Sequence, residues 1–154
     1  MGPVPLVARG AVRTIDFEKI AEAVRSLCVA ACHELPADVL AALEHAAGAE
    51  SNPRARRVLD QLVENARIAS QDNIPLCQDT GLAVVFAEQG SEVVIAPAGP
   101  GRQTLLEAIN EGVRTGYETG YLRKSVVADP LNARKNTGTN TPAIVHLSLV
   151  PGDK

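Results

Sequence analysis

Asp72-Asn73-Ile74-Pro75-Leu76-Cys77-Gln78-Asp79-Thr80-Gly81-Leu82-Ala83-Val84-Val85-Phe86-Ala87 is where the chain changes its period. Before it, apolar residues recur at steps of three and four, as on one face of a helix. After it they run together and later alternate, as in strands. The first four residues are a breaker. Residues 82–87 form a short apolar run that suits a buried strand. Between them, Cys77, Gln78, Asp79 and Thr80 set a thiol, an amide, a carboxylate and a hydroxyl side by side, with Gly81 to let the backbone turn. A purely structural loop has little use for that succession of groups.

Upstream of this point the reading is helical. Phe17, Ile20, Ala21, Val24, Leu27, Cys28 and Ala31 form one apolar stripe, with Asp16 as a plausible N-cap. Pro36 and Asp38 open a second, shorter helix, carrying Val39, Leu40 and Leu43, which Gly48 can end. Asn52-Pro53 starts a third, a cap residue followed by proline at the first helical position. Its stripe is Ala55, Val58, Leu59, Leu62, Val63, Ala66 and Ala69. Downstream, Gln89-Gly90 turns the chain and residues 92–96 return as a strand, giving an expected hairpin. Thr104 with Glu107 makes a capping box for a helix with Leu106, Ile109, Val113 and Tyr117 inward. Ala143, Val145, Leu147 and Leu149 alternate with Ile144, His146 and Ser148, the period of a strand. The expected class is α+β, an N-terminal helical layer packed on a small mixed sheet. The helical part is residues 1–73, and residues 74–154 hold the motif loop and the α/β part.

The chain has 154 residues, enough for one domain, and 45% are hydrophobic. Aromatics are only 3%, so the core must be built from Ala, Val, Leu and Ile. A net charge of -3 gives no basic field for nucleic acid or an anionic membrane surface. No run approaches the ~18 consecutive apolar residues of a membrane span, and the N-terminal residues do not read as a secretory leader. Three cysteines, an odd number, argue against a closed disulfide framework. A cytoplasmic protein with free thiols is expected.

Cys77 sits in a polar loop between Pro75 and the Gln78-Asp79 pair, off any apolar stripe. There a rigid backbone can present a thiolate to a metal. Cys28 and Cys32 are four residues apart with His33 adjacent. Cys28 lies on the apolar stripe and Cys32 at its margin, so both read as packing residues. Gln78 and Asp79 suit substrate contact as well as a self-bonded polar turn. Arg123 reads on its own as an exposed basic residue, although a guanidinium can grip a carboxylate at two points. Lys124, Arg134 and Lys135 read as surface charge, and His146 as an ordinary strand residue. Asn136, Thr137 and Asn140 fit an active-site wall and a capped turn equally well.

The segment from Ile74 to Gly81 resembles the signature of the iron–sulfur (class I) fumarate hydratases and their tartrate dehydratase relatives. The resemblance extends to Gly116-Tyr117-Glu118-Thr119-Gly120-Tyr121-Leu122-Arg123-Lys124-Ser125-Val126-Val127, to Asn136-Thr137-Gly138-Thr139-Asn140-Thr141-Pro142-Ala143, and to Pro151-Gly152-Asp153-Lys154. It spans about residues 15–154 and is specific from 74 onward. It implies that Cys77 is one ligand of a [4Fe-4S] cluster and that Gln78, Asp79 and Arg123 bind a small dicarboxylate. It further implies that Asp79 is catalytic, supporting a threonine base from a C-terminal half. The reaction implied is the reversible hydration of fumarate to malate. The Leu-Arg-Lys-Ser-Val-Val segment and the Thr141-Pro142 form are more similar to fumarase than to tartrate dehydratase. The other cluster ligands lie, in the family, beyond the point where this chain stops.

The expected protein is therefore an incomplete alpha-type hydro-lyase domain, inactive alone. It needs its C-terminal half or a beta subunit, within an oligomer. The alternatives are a tartrate dehydratase alpha subunit, a non-catalytic interaction fragment, and a thiol-nucleophile enzyme. The last lacks a convincing base near Cys77.

Overall fold

The structure is a computed structural model and describes residues 12–76 and 81–154. The expectations placed on Cys77, Gln78, Asp79 and Thr80 lie outside the described residues. In order, the elements are β1 (Arg13–Asp16), α1 (Phe17–His33), α2 (Ala37–Ala49), α3 (Pro53–Asp72), β2 (Val84–Gly90), β3 (Val93–Ala96), α4 (Leu105–Thr119) and β4 (Ile144–Val150). The class is α+β, as expected.

The helix boundaries follow local chemistry. Asn52 caps α3 through its side chain, accepting from the Arg54 and Ala55 amides. Asn73 then closes α3 in the left-handed conformation, with φ 52°, and Ile74 donates back to Ala69. Thr104 and Glu107 form the full capping box of α4. Asp16 occupies the N-cap of α1 without a side-chain cap bond, and α2 runs through Gly48 to Ala49. The α1–α2 stretch, Phe17–Ala49, has the length of a membrane-crossing segment and contains an 18-residue window with a mean hydropathy of 1.4. It is broken at Glu34-Leu35-Pro36 into helices of 17 and 13 residues, each short of the ~20 that a span needs.

The centre of the molecule is the crossing of α1 and α4. Phe17, Ala21 and Val24 of α1 meet Ala108, Ile109, Val113 and Tyr117 of α4, and all seven are buried. The close approach depends on two glycines. A Cβ on Gly112 would stand 2.5 Å from the Ala21 carbonyl oxygen, and one on Gly116 would stand 2.9 Å from Cys28 Cβ. Leu106, expected inward, is exposed, and Leu105 packs against the core instead. On α3 only Ala66 and Ala69 are buried, while Val58 and Leu62 of the expected stripe are exposed.

The sheets correct the expected strand pairing. Residues 84–90 and 93–96 do not form a hairpin. β2 pairs in parallel with β4 from Val84↔Ile144 to Gly90↔Val150, and β3 pairs in parallel with β1, a strand not anticipated from the sequence. Both two-stranded sheets are therefore parallel rather than mixed. In place of a hairpin, residues 90–92 bond to residues 150–154. Gly90 donates to Lys154, Ser91 to Val150 and Glu92 to Gly152. The chain thus passes from one pair to the other without reversing. Ala83, Val85 and Ala87 of the β2 segment, with Ala143 and Val145, lie against the α1–α4 core.

Cys28 and Cys32 are free and half-buried against that core. Burial, with a smaller contribution from Cys32, pushes the Cys28 thiol up to about 11, and burial also raises Cys32. They are packing residues, as their stripe position implied.

Two measurements test this packing. Gly112→Ala should lower stability by about 1–3 kcal/mol through overpacking, despite the roughly 1 kcal/mol of helix propensity that alanine brings. Gly48→Ala meets nothing within 4 Å and should be neutral or gain up to about 1 kcal/mol. Denaturant midpoints that move the same way in both variants would refute the close crossing. For the thiols, peptide-resolved alkylation at pH 8 should label Cys28 about a hundredfold more slowly than glutathione, the rate rising with pH towards about 11. Labelling as fast as glutathione would place Cys28 outside the core.

Candidate active site

The site assembles around the end of α4. Gly120 caps the helix, and the next residue, Tyr121, takes the left-handed conformation at φ 53°. Tyr121 N–H donates to Glu118 and Leu122 N–H to Tyr117, the paired bonds of a Schellman stop. Glycine usually holds that position. Here the tyrosine side chain points to solvent while Leu122 drops into the core beside Tyr117. That reversal starts the segment that carries Arg123.

Residues 122–128 are then stitched to residues 135–140. Asn136 Nδ2 donates to the Lys124 carbonyl at 2.9 Å, Thr137 N–H to Val126 at 2.9 Å, and Ala128 N–H to Lys135 at 2.8 Å. Asn136 Oδ1 also accepts from Gly138 N–H at 2.7 Å, which closes the turn of the Asn-Thr-Gly segment. Gly138 has φ 74°, so a side chain there would be strained.

Asn140 is the centre of this arrangement. It is fully buried, with an exposure of 0%, and its backbone is left-handed, φ 55°, which asparagine tolerates better than most residues. Its Oδ1 accepts from Ser125 N–H at 2.6 Å and Val126 N–H at 3.0 Å. Its Nδ2 reaches the Gly81 carbonyl at 3.5 Å. Burial raises the Tyr117 phenol above its ordinary range, and the Asn140 amide beside it partly offsets this. The Ser125 hydroxyl is buried and has no partner among the described residues. Asn140 is followed by Thr141, whose hydroxyl lies 2.7 Å from that of Thr139, and by a cis peptide to Pro142.

The motif loop is held on both sides. Before it, Leu76 N–H donates to the Cys32 carbonyl at the end of α1, at 2.7 Å. After it, Gly81 meets Asn140, and Ala83 accepts from Ile144 N–H at 2.9 Å. Gly81 is bonded to the same asparagine that holds the Arg123 segment. Arg123 itself is exposed. The fold thus ties the segment after Arg123, through Asn140, to Gly81.

Other candidates take ordinary places. His146 stacks on Phe86 across the β2–β4 pair, with ring centroids 4.8 Å apart and planes at 11°. Among the described residues, no group of three or more His, Cys, Asp or Glu is arranged to hold a metal ion. Between α1 and the start of β2 an open groove of about 480 Å³ is lined by Leu27, Cys28, Cys32, Leu82, Val84 and Phe86. The role of Asn140 was not resolved from the sequence. Its signal there was an asparagine closing a Thr- and Gly-rich turn just before Thr-Pro.

Known proteins are similar to this sequence. Residues 21–154 match the family described as fumarate hydratase (Fumerase). A Methanocaldococcus jannaschii protein named "Putative L(+)-tartrate dehydratase subunit alpha" is 37% identical over 129 residues, covering 82% of this chain and 44% of its own length. The anaerobic class I fumarate hydratase of Escherichia coli is 34% identical over 106 residues, covering 68% of this chain and 18% of its own length. The aerobic E. coli enzyme is 36% identical over 107 residues, with the same coverage. The chain spans less than half the length of these relatives. With the match running through the Arg123 and Asn140 segments alike, the chain belongs to the fumarate hydratase (Fumerase) family.

Proposed function

We propose that this chain is the N-terminal part of the alpha-type portion of an iron–sulfur hydro-lyase that interconverts fumarate and malate. The observation that carries the reading is the link through Asn140. It sets the backbone just after Arg123 against the Gly81 end of the motif loop, which supports a site shared by two motifs separated in sequence. Arg123 would hold one substrate carboxylate in a planar two-point grip. Gln78 would donate to the other carboxylate or to the hydroxyl, fixing the diacid's orientation. Asp79 would orient the base that handles the carbon-bound proton, a residue expected from outside this chain.

A [4Fe-4S] cluster fits here in part. Cys77 lies in the polar motif segment of the sequence, whereas Cys28 and Cys32 pack against the core with raised thiols. One thiolate would come from this chain and the others from its complement. When bound, the group supplies an open iron as Lewis acid. The domain is accordingly read as a single, incomplete catalytic unit acting in the cytoplasm. It would work within an oligomer, beside a C-terminal half or beta subunit. The outer face of the β2–β4 pair supports a covering partner. Phe86 there is 79% exposed, with Val84 and Ile144 also open, although parallel sheets are ordinarily covered on both faces.

A second reading, tartrate dehydration, rests on the name of the Methanocaldococcus relative and its 82% coverage of this chain. The Leu122 to Val127 segment and Thr141-Pro142 favour fumarate.

The test is anaerobic reconstitution of the chain with its complementary part, using iron and sulfide, followed by malate, fumarate and tartrate assays side by side. Malate–fumarate turnover should exceed tartrate turnover and vanish in Cys77→Ala. Arg123→Lys should lower kcat/KM roughly ten- to hundredfold, the value of a lost charge-assisted pair. The chain alone should lose reconstituted iron to a mild chelator while the assembled protein keeps it. Full activity in Cys77→Ala, or an assembled protein inactive on all three diacids, would overturn the reading. Activity on tartrate alone would select the second one.

A further inference from the structure

We infer that Asn140 is a positioning residue for substrate binding. It holds the backbone that follows Arg123 against the Gly81 carbonyl at the end of the motif loop. The inference rests on the functional reading above and deepens it.

The side chain of Asn140 is the only polar one among the described residues that is both fully buried and bonded to segments 14, 15 and 59 residues away. Its geometry divides the work. Oδ1 receives two successive amides, Ser125 and Val126, which fixes both the position and the direction of the backbone two residues beyond Arg123. A single bond would leave that segment free to pivot, and two adjacent ones do not. The longer Nδ2 contact to Gly81 then refers this position to the loop exit. Packing cannot replace the link, because Arg123, Lys124 and Ser125 bury little apolar surface of their own; Leu122 and Val126 at the two ends are the buried anchors. The left-handed backbone aims the amide inward, and the buried Tyr117 ring lies beside it.

Two substitutions separate these roles. Asn140→Gly keeps the left-handed backbone without strain and removes every side-chain bond. Asn140→Asp keeps the acceptor for Ser125 and Val126 but loses the donor to Gly81. In the assembled, reconstituted enzyme, Asn140→Gly should cut kcat/KM by about ten- to hundredfold, mainly through a raised KM, since a displacement near 1 Å has effects of that order. Asn140→Asp should fall between it and the wild type. The decisive arm is a double-mutant cycle with Arg123→Lys. If Asn140 acts through Arg123, the second substitution adds little to the first, whereas independent structural damage multiplies. Amide hydrogen exchange should show Ser125 and Val126 losing protection in Asn140→Gly while α1 keeps its own.

Asn140→Gly within threefold of the wild type, or losses that multiply fully in the double variant, would overturn the inference. Loss of protection throughout α1 in both variants would make Asn140 a general stability residue and overturn it as well. A wild-type enzyme inactive on malate, fumarate and tartrate would instead overturn the functional reading, and this inference with it.

Discussion

Asn140 satisfies three backbone groups with one buried amide, and much of the candidate site hangs on that geometry. Buried backbone N–H groups must find partners, and outside helices and sheets the partner has to be a side chain or water. The Arg123 segment runs between α4 and the turn at Gly138 without a ladder of its own beyond the Val127–Asn136 bridge. The amides of Ser125 and Val126 would otherwise be stranded. An asparagine at that point removes the penalty, worth roughly 1–3 kcal/mol per unsatisfied group. The same bonds order a segment that has little apolar surface to order it. An energetic necessity of the fold thereby becomes a positional constraint on Arg123.

What was legible in the sequence is what local chemistry decides. Asn52-Pro53, the Thr104 and Glu107 pair, and the breaker at Asp72-Asn73 each act on neighbouring backbone groups, and each stands where its residues place it. Pairing of strands is different. Val84 and Ile144 are joined across 60 positions, and β1 joins β3 across 80, so no local pattern of residues 82–96 could distinguish a hairpin from two parallel pairs. Residues 90–92 bond to residues 150–154 in place of a hairpin. Gly112 and Gly116 were silent for a related reason, since their lack of side chains matters only because α1 crosses there. Tyr121 holds a conformation that favours glycine, which its residue type does not announce.

At the site, residue type was informative and arrangement was not. A thiol, an amide and a carboxylate in one polar loop mark it as chemical, and an arginine in a distant motif suggests a carboxylate grip. That the Arg123 segment is tied to the Gly81 end of that loop depends on the turn of Asn136 to Asn140, which folds back on it. His146 shows the converse. Its place in an alternating pattern, more than its residue type, marked it as an ordinary strand residue, and its ring stacks on Phe86.

On the proposed reading, assembly and catalysis are coupled by the distribution of ligands. This chain would bring the carboxylate grip and one thiolate, and its complement would bring the remaining thiolates and the base. Neither part then has the full set of groups. The exposed apolar positions fall where such a complement would sit. Leu27, Leu82 and Phe86 border the groove beside the Cys32 anchor of the motif loop, so covering that groove would also shield the loop from water. Charge-assisted bonds to a diacid strengthen as water leaves. The burial that completes the fold would therefore be the same event that makes Arg123 an effective anchor.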